Sequence, residues 1–160
     1  MPDLTDSYRE VMSHWPSGVA IVTSGMNGSF HGMTVSSFTS VSLHPPMVSI
    51  CVDKRAQMCN ILKASQKFAV NLLQHSQKDL AASFADHRLS MVQRFEQAEF
   101  SADLAGNPIL AGALAWLDCR ISGMHDTGDH VIYLGEVLRA SVSGAGEPLI
   151  YYRRGWHRIA

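Results

Sequence analysis

Two long β-like runs, Ala113 to Met124 and Val131 to Val142, are separated only by His125-Asp126-Thr127-Gly128-Asp129-His130. A link this short has no room for the dozen-residue crossover that parallel strands need, so the two runs must pair antiparallel. Ser143-Gly144-Ala145-Gly146 then leads into Pro148 to Tyr152, expected as a third antiparallel strand in the series. Nearer the start, Val19-Ala20-Ile21-Val22-Thr23 is rich in β-formers. Gly25-Met26-Asn27-Gly28 follows with residues able to take positive φ, which predicts a hairpin with Phe30 to Val35. Pro45-Pro46 turns the chain into a further strand, Met47 to Val52.

Helical signals are short. Tyr8, Val11, Met12 and Trp15 share one face of a Ser7 to His14 helix that must end at Trp15-Pro16, because proline disfavours helix in the residue before it. Met58, Ile61 and Leu62 mark a helix over Ala56 to Ala64, and Phe68 to Leu73 returns as a strand. Ser76-Gln77-Lys78-Asp79 has the form of an N-cap with an acid three residues on, opening a helix that carries Leu80 and Phe84. Ala85 to Asn107 shows no clean period and is expected as loop with one helical turn, a lid or interface segment. About seven strands, few helices and hairpin-length links define a mainly β fold. A closed or partly closed antiparallel barrel with short flanking helices fits it better than a doubly wound sheet.

The 160 residues, 46% hydrophobic and 17% charged, suit one globular domain over 1–160. A formal charge of -1 with no basic block excludes nucleic acid as a partner. No apolar stretch reaches the ~18 to 20 residues that span a bilayer, so no membrane partner is expected. Met1-Pro2-Asp3-Leu4-Thr5-Asp6 is acidic where a secretory signal would be positive, and the cytoplasm is the expected compartment. Cys51, Cys59 and Cys119 lack CxxC spacing and are expected as free thiols, while eight histidines without HxH or HExxH spacing argue against a metal site. The dinucleotide fingerprint GxGxxG and the phosphate loop GxxxxGK[ST] are both missing.

The segment Gly32-Met33-Thr34-Val35-Ser36-Ser37-Phe38-Thr39-Ser40-Val41-Ser42-Leu43 packs hydroxyl residues among β-formers with almost no charge. That mixture suits a strand edge whose amides and hydroxyls face a bound polar ligand. Asn71, inside an apolar strand, is read as satisfying that strand's own edge. Tyr151, Tyr152, Arg153, Arg154 and Trp156 set aromatics beside cations. Such a mix suits stacking on a flat ring and pairing with an anion, or else a core aromatic pair with solvated arginines.

Several of these segments, in order along nearly the whole chain, resemble the short-chain flavin reductases, the reductase components of two-component flavin-dependent monooxygenases. They are Pro16 to Thr23, Gly32 to Leu43 with Pro45-Pro46, Phe68 to Asn71, Ala111 to Cys119, Gly128-Asp129-His130, Gly135-Glu136-Val137 and Pro148 to Arg153. The resemblance implies a split barrel working as a homodimer, with FMN or FAD near the subunit interface and NADH or NADPH as hydride donor. It also implies a separate oxygenase that receives the reduced flavin. Under it, Thr34, Val35, Ser36 and Ser37 supply the polar edge for the flavin, and Cys51 and Val52 add main-chain contacts. Lys54, Arg55 and Gln57 fall where a strand gives way to a helix, placed to hold phosphate. Ala56 and Met58 depart from the family, which often has small hydroxyl residues there. Arg88 and Arg94 are cations placed to approach a flavin phosphate from the 85–107 segment. His130 would orient the nicotinamide carboxamide, and Tyr152, Arg153 and Arg154 would meet the rest of the dinucleotide. Hydride transfer needs the two rings stacked at about 3 to 3.5 Å and no nucleophile or general base, so no catalytic side chain is expected. The alternatives are an FMN-dependent oxidase of the pyridoxamine-phosphate type and a non-catalytic flavin- or haem-binding module.

Overall fold

The computed structural model describes residues 1 and 3–159; Pro2, in the acidic N-terminal segment, and Ala160 lie outside the described residues. Helix α1 (Leu4–Ser13) precedes β1 (Ser17–Gly18), β2 (Ala20–Met26) and β3 (Ser29–Val35). Asn27 and Gly28 alone join β2 to β3, with φ of 51° and 76°. Positive φ at both central residues gives the two-residue turn whose twist matches paired strands, which is why an Asn-Gly pair forms it. Then come β4 (Thr39–Leu43), β5 (Pro46–Asp53), α2 (Gln57–Ser65) and β6 (Lys67–Leu72). The second half holds α3 (Lys78–Ala85), α4 (Met91–Glu96), β7 (Phe100–Ala102) and β8 (Pro108–Leu110), then β9 (Ala115–Thr127), β10 (His130–Val142), β11 (Ile150–Tyr152) and β12 (Gly155–His157).

Among the described residues, seven strands form one antiparallel sheet in the order β3-β2-β6-β9-β10-β5-β4. The sheet curls around a single core without pairing its two edge strands, β3 and β4, and is a split barrel. Val22, Ile50, Val52, Phe68, Val70 and Tyr133 fill the interior, with Met58 and Leu62 of α2 packed into it. The other face of β2 is buried too: Ile21, with Val19, Leu73, Phe84 and Leu149, forms a second apolar cluster outside the barrel. A strand buried on both faces reads as an unbroken apolar run, as Val19 to Val22 does.

Three expectations need correcting. The Pro148 to Tyr152 segment does not extend the β9–β10 hairpin. Both edges of β10 are already taken, by β9 and β5, and β11 instead joins β1 and β12 in a three-stranded sheet. Ser76 does not cap α3. A 3-10 turn, His75–Gln77, leads into it, and a Gln74–Gln77 capping box closes that turn because both amide side chains also reach the Ala111 and Gly112 carbonyls. The 85–107 segment is more regular than expected, with α4 behind a Ser90–Gln93 capping box and the β7–β8 hairpin. Asn71 is fully buried and satisfies strand edges, donating to Ile21 O and Thr23 Oγ1 at 3.1 and 3.2 Å and accepting from the Leu110 amide at 2.8 Å. No helix among the described residues is long and apolar enough to cross a membrane.

Candidate active site

A cleft of about 880 Å³ opens where the end of β3, the end of β5 with the start of α2, and the α3–α4 connection converge. Period-2 alternation along β5 buries Val48, Ile50 and Val52 in the barrel and leaves Cys51 and Asp53 on the cleft side. Val52 therefore lies in the core, with its backbone paired to Val131, and does not line the cleft. The apolar lining comes from Met33, Val35, Ala56, Met58, Phe84, Leu89 and Met91.

Thr34, Val35, Ser36 and Ser37 all line this cleft, yet their hydroxyls have different duties. Thr34 Oγ1 donates to Ala81 O at 2.6 Å, tying β3 to α3. Ser37 Oγ donates to Cys51 O at 3.0 Å and accepts from Cys51 N at 3.1 Å, stitching the chain after β3 onto β5. The main chain of Cys51 is thus engaged by protein and not presented to a ligand. Ser36, exposed at the mouth, keeps a hydroxyl with no partner among the described residues.

Arg55 and Gln57 stand at the start of α2, and Lys54 does not line the cleft. Its Nζ donates to Gly128 O at 3.0 Å and lies 3.6 Å from Asp126, bracing the β9–β10 turn. Arg55 folds back on Asp53, with Nη2 to Oδ2 at 2.7 Å, Nε to Oδ1 at 3.1 Å and its amide to Oδ1 at 2.8 Å. These bonds hold the Asp53 carboxyl well below the usual carboxylate range. The guanidinium is exposed, so water screens the pair and an incoming anion competes for it cheaply. Ala56, the N-cap of α2, is extended and offers no side-chain cap; the Cys59 amide bonds back to Ala56 O, and the Gln57 and Met58 amides before it take no side-chain cap.

His130 opens β10 directly opposite Asp53 and lines the same cleft. Its Nδ1 is 2.7 Å from Asp129 Oδ1, and that hydrogen bond lowers the Asp129 pKa. Of the C-terminal candidates, Arg154 lines a neighbouring cavity of about 710 Å³ with Trp15 and Tyr151, and the two cavities share Ser36 and Ser37 as their common wall. Tyr152 packs against His157, and Arg153, at φ 47° in the β11–β12 turn, donates its amide to Ser13 O; neither lines either cavity. Arg88 is clipped to its own Asp86. Sequence reasoning missed Asp53, Phe84, His87, Leu89, Ser90 and Met91 as lining residues. The parity of Asp53 with Cys51 was the available signal for one; the 85–91 stretch offers no period to read.

An apolar-lined slot suits a flat aromatic ring, and uncapped helix amides beside an arginine suit a phosphate, so the residues present fit a flavin nucleotide. Fold and cleft together define a split barrel with one face open to a ligand of that shape. The profile of the Flavin reductase like domain matches residues 12–160, and the chain belongs to that family. It is 42% identical over 154 residues to the NADH-dependent FAD reductase of Streptomyces globisporus, covering 95% of this chain and 84% of that protein. Identity is 30% to the reductase component of 4-hydroxyphenylacetate 3-monooxygenase from Thermus thermophilus, covering 98% and 97%. The solved NADH:FAD oxidoreductase SgcE6 of Streptomyces globisporus C-1027, in complex with NAD and FAD fragments, superposes with a TM-score of 0.92 at 40% identity, covering 100% of this chain and 96% of that one.

Proposed function

We propose that this chain is an NAD(P)H:flavin oxidoreductase that reduces FMN or FAD and supplies the reduced flavin to a separate monooxygenase. The observation that carries the reading is the single cleft that joins an apolar lining, an uncapped helix start with Arg55, and His130 opposite. A flavin, when bound, supplies the hydride acceptor. Val35, Met58 and Phe84 would flank its ring and keep water away, Ser36 would offer its hydroxyl at the polar edge, and Arg55 at the α2 start would take the phosphate. His130, held by Asp129, is positioned to orient a nicotinamide carboxamide. Arg154 and Trp15 in the adjoining cavity suit the far end of a dinucleotide.

We infer a homodimer from α1. Its apolar Leu4, Tyr8 and Val11, followed by Trp15, are all exposed, and no residue of the helix is buried. A ten-residue helix is marginal in water without a packed face, and a second copy of the chain covers it. Three free cysteines and use of NAD(P)H suit the reducing cytoplasm. The test is anaerobic mixing with NADH or NADPH and either FMN or FAD, followed by the flavin absorbance. Rapid bleaching supports the reductase; flavin binding without bleaching makes the protein a binding module and overturns the proposal.

A further inference from the structure

Helix α4 has six residues, too few to hold together alone. Two adjacent side chains fix it, one by apolar contact and one by hydrogen bonds. Phe95 enters an aromatic cluster with Phe84 and Phe100, each at 5.1 Å between centroids. Arg94 lines the cleft yet is only 6% exposed, with its two terminal nitrogens on three backbone carbonyls and its Nε without a partner among the described residues. Nη1 donates to Gly32 O at 3.2 Å and Phe84 O at 3.1 Å, and Nη2 donates to Asp86 O at 2.8 Å. Those carbonyls belong to the cradle strand β3, to the C-terminal turn of α3 and to the turn that begins the cleft rim. Gly32 also lets Phe84 pack directly on β3, since a Cβ there would sit 2.6 Å from the Phe84 ring.

Among the described residues no carboxylate pairs with Arg94, and Asp86, the nearest acid, spends its carboxylate on Arg88. Burying such a charge is costly unless dipoles compensate it, and the Phe84 carbonyl lies at the negative end of α3. The same Asp86 carbonyl also accepts from the Leu89 amide, so the rim Asp86 to Met91 is joined to the cradle strand through this one guanidinium.

We propose that Arg94 is a positioning residue that presets the far wall of the flavin cleft before the ligand arrives, rather than a partner of the flavin phosphate. The proposal rests on the reductase reading above. It predicts that Arg94→Gln and Arg94→Lys weaken FMN and riboflavin by the same factor, at least tenfold, because the wall and not a phosphate contact is lost. The flavin KM rises with it, while kcat at saturating flavin and the NADH KM stay within about twofold.

The test is fluorescence titration of both flavins with wild type and both variants, alongside hydrogen exchange of the ligand-free wild type. Slow exchange at Leu89 and Arg94 before flavin is added supports a preset wall. Rapid exchange that slows only on flavin binding overturns it, and this measurement stands even where a variant fails to fold. Loss confined to FMN makes Arg94 a phosphate partner and overturns the proposal, as does unchanged affinity. A wild type that binds no flavin overturns the reductase reading itself, whereas binding that is insensitive to both substitutions overturns only the role of Arg94.

Discussion

Ser36 and Ser37 are neighbours of one chemical type on one cleft, and the structure separates their duties enough to give opposite signatures. Ser37→Ala removes the hydroxyl that bonds both Cys51 N and Cys51 O. Each net hydrogen bond contributes about 0.5–1.5 kcal/mol. Ser37 and Cys51 are half-buried, so water partly replaces what is lost; the expected cost is about 1–2 kcal/mol, or a Tm drop of about 2–8 °C for a chain of this length. Ser36→Ala removes a hydroxyl with no protein partner, so stability should stay within about 0.5 kcal/mol. Its flavin Kd should rise about fivefold, the equivalent of one hydrogen bond to ligand. Thermal denaturation of the ligand-free proteins and flavin fluorescence titration measure the two quantities separately. If Ser37→Ala keeps its Tm while its flavin Kd rises as much as that of Ser36→Ala, the assignment of the Ser37 hydroxyl to the Cys51 backbone is wrong.

His130→Ala should raise the KM for NAD(P)H more than it raises the flavin Kd; steady-state kinetics showing the reverse would remove His130 from the nicotinamide side. Asp103 is buried beside Asp118 and Arg139, and burial first, then Asp118, raises its pKa above the ordinary 3.8. A raised carboxyl stabilises the fold fully below its unfolded pKa and loses that contribution as pH climbs through its folded value. The wild type should therefore lose Tm relative to Asp103→Asn as pH rises from about 4 toward neutrality; a pH-independent difference would contradict the raised pKa. Burial pushes the Cys119 thiol up to about 12, whereas Cys51 lines the cleft. Iodoacetamide at pH 8 should label Cys51 before Cys119, and saturating flavin should slow the Cys51 reaction, as mass spectrometry of the native protein can read; prompt Cys119 labelling would count against the packing described.

The barrel's strands were legible because their causes are local. Asn27-Gly28 demands a two-residue hairpin wherever it occurs between β-formers, whereas the apolar run Met47 to Val52 marks a strand without saying that Val52 faces the core and Asp53 the cleft. The short Gly128-Asp129 link dictates antiparallel pairing of the longest strands. The Gly32 to Leu43 stretch stood out by its hydroxyl-rich, uncharged composition, and Thr34 to Ser37 within it line the cleft.

What composition does not carry is which partner each polar group takes, and some of those partners lie far along the chain. Thr34 spends its hydroxyl on Ala81 and Arg94 reaches back to Gly32, 47 and 62 residues away, and both pairings exist only once the sheet has curled and α3 has docked on it. The same curl sends β11 to β1 because β10 has no free edge, and puts Arg55 on the cleft while Lys54 braces a turn. Periodicity in a sequence reports which face of an element avoids water. Only the packed tertiary structure decides which donors meet protein carbonyls and which, like that of Ser36, have no protein partner among the described residues.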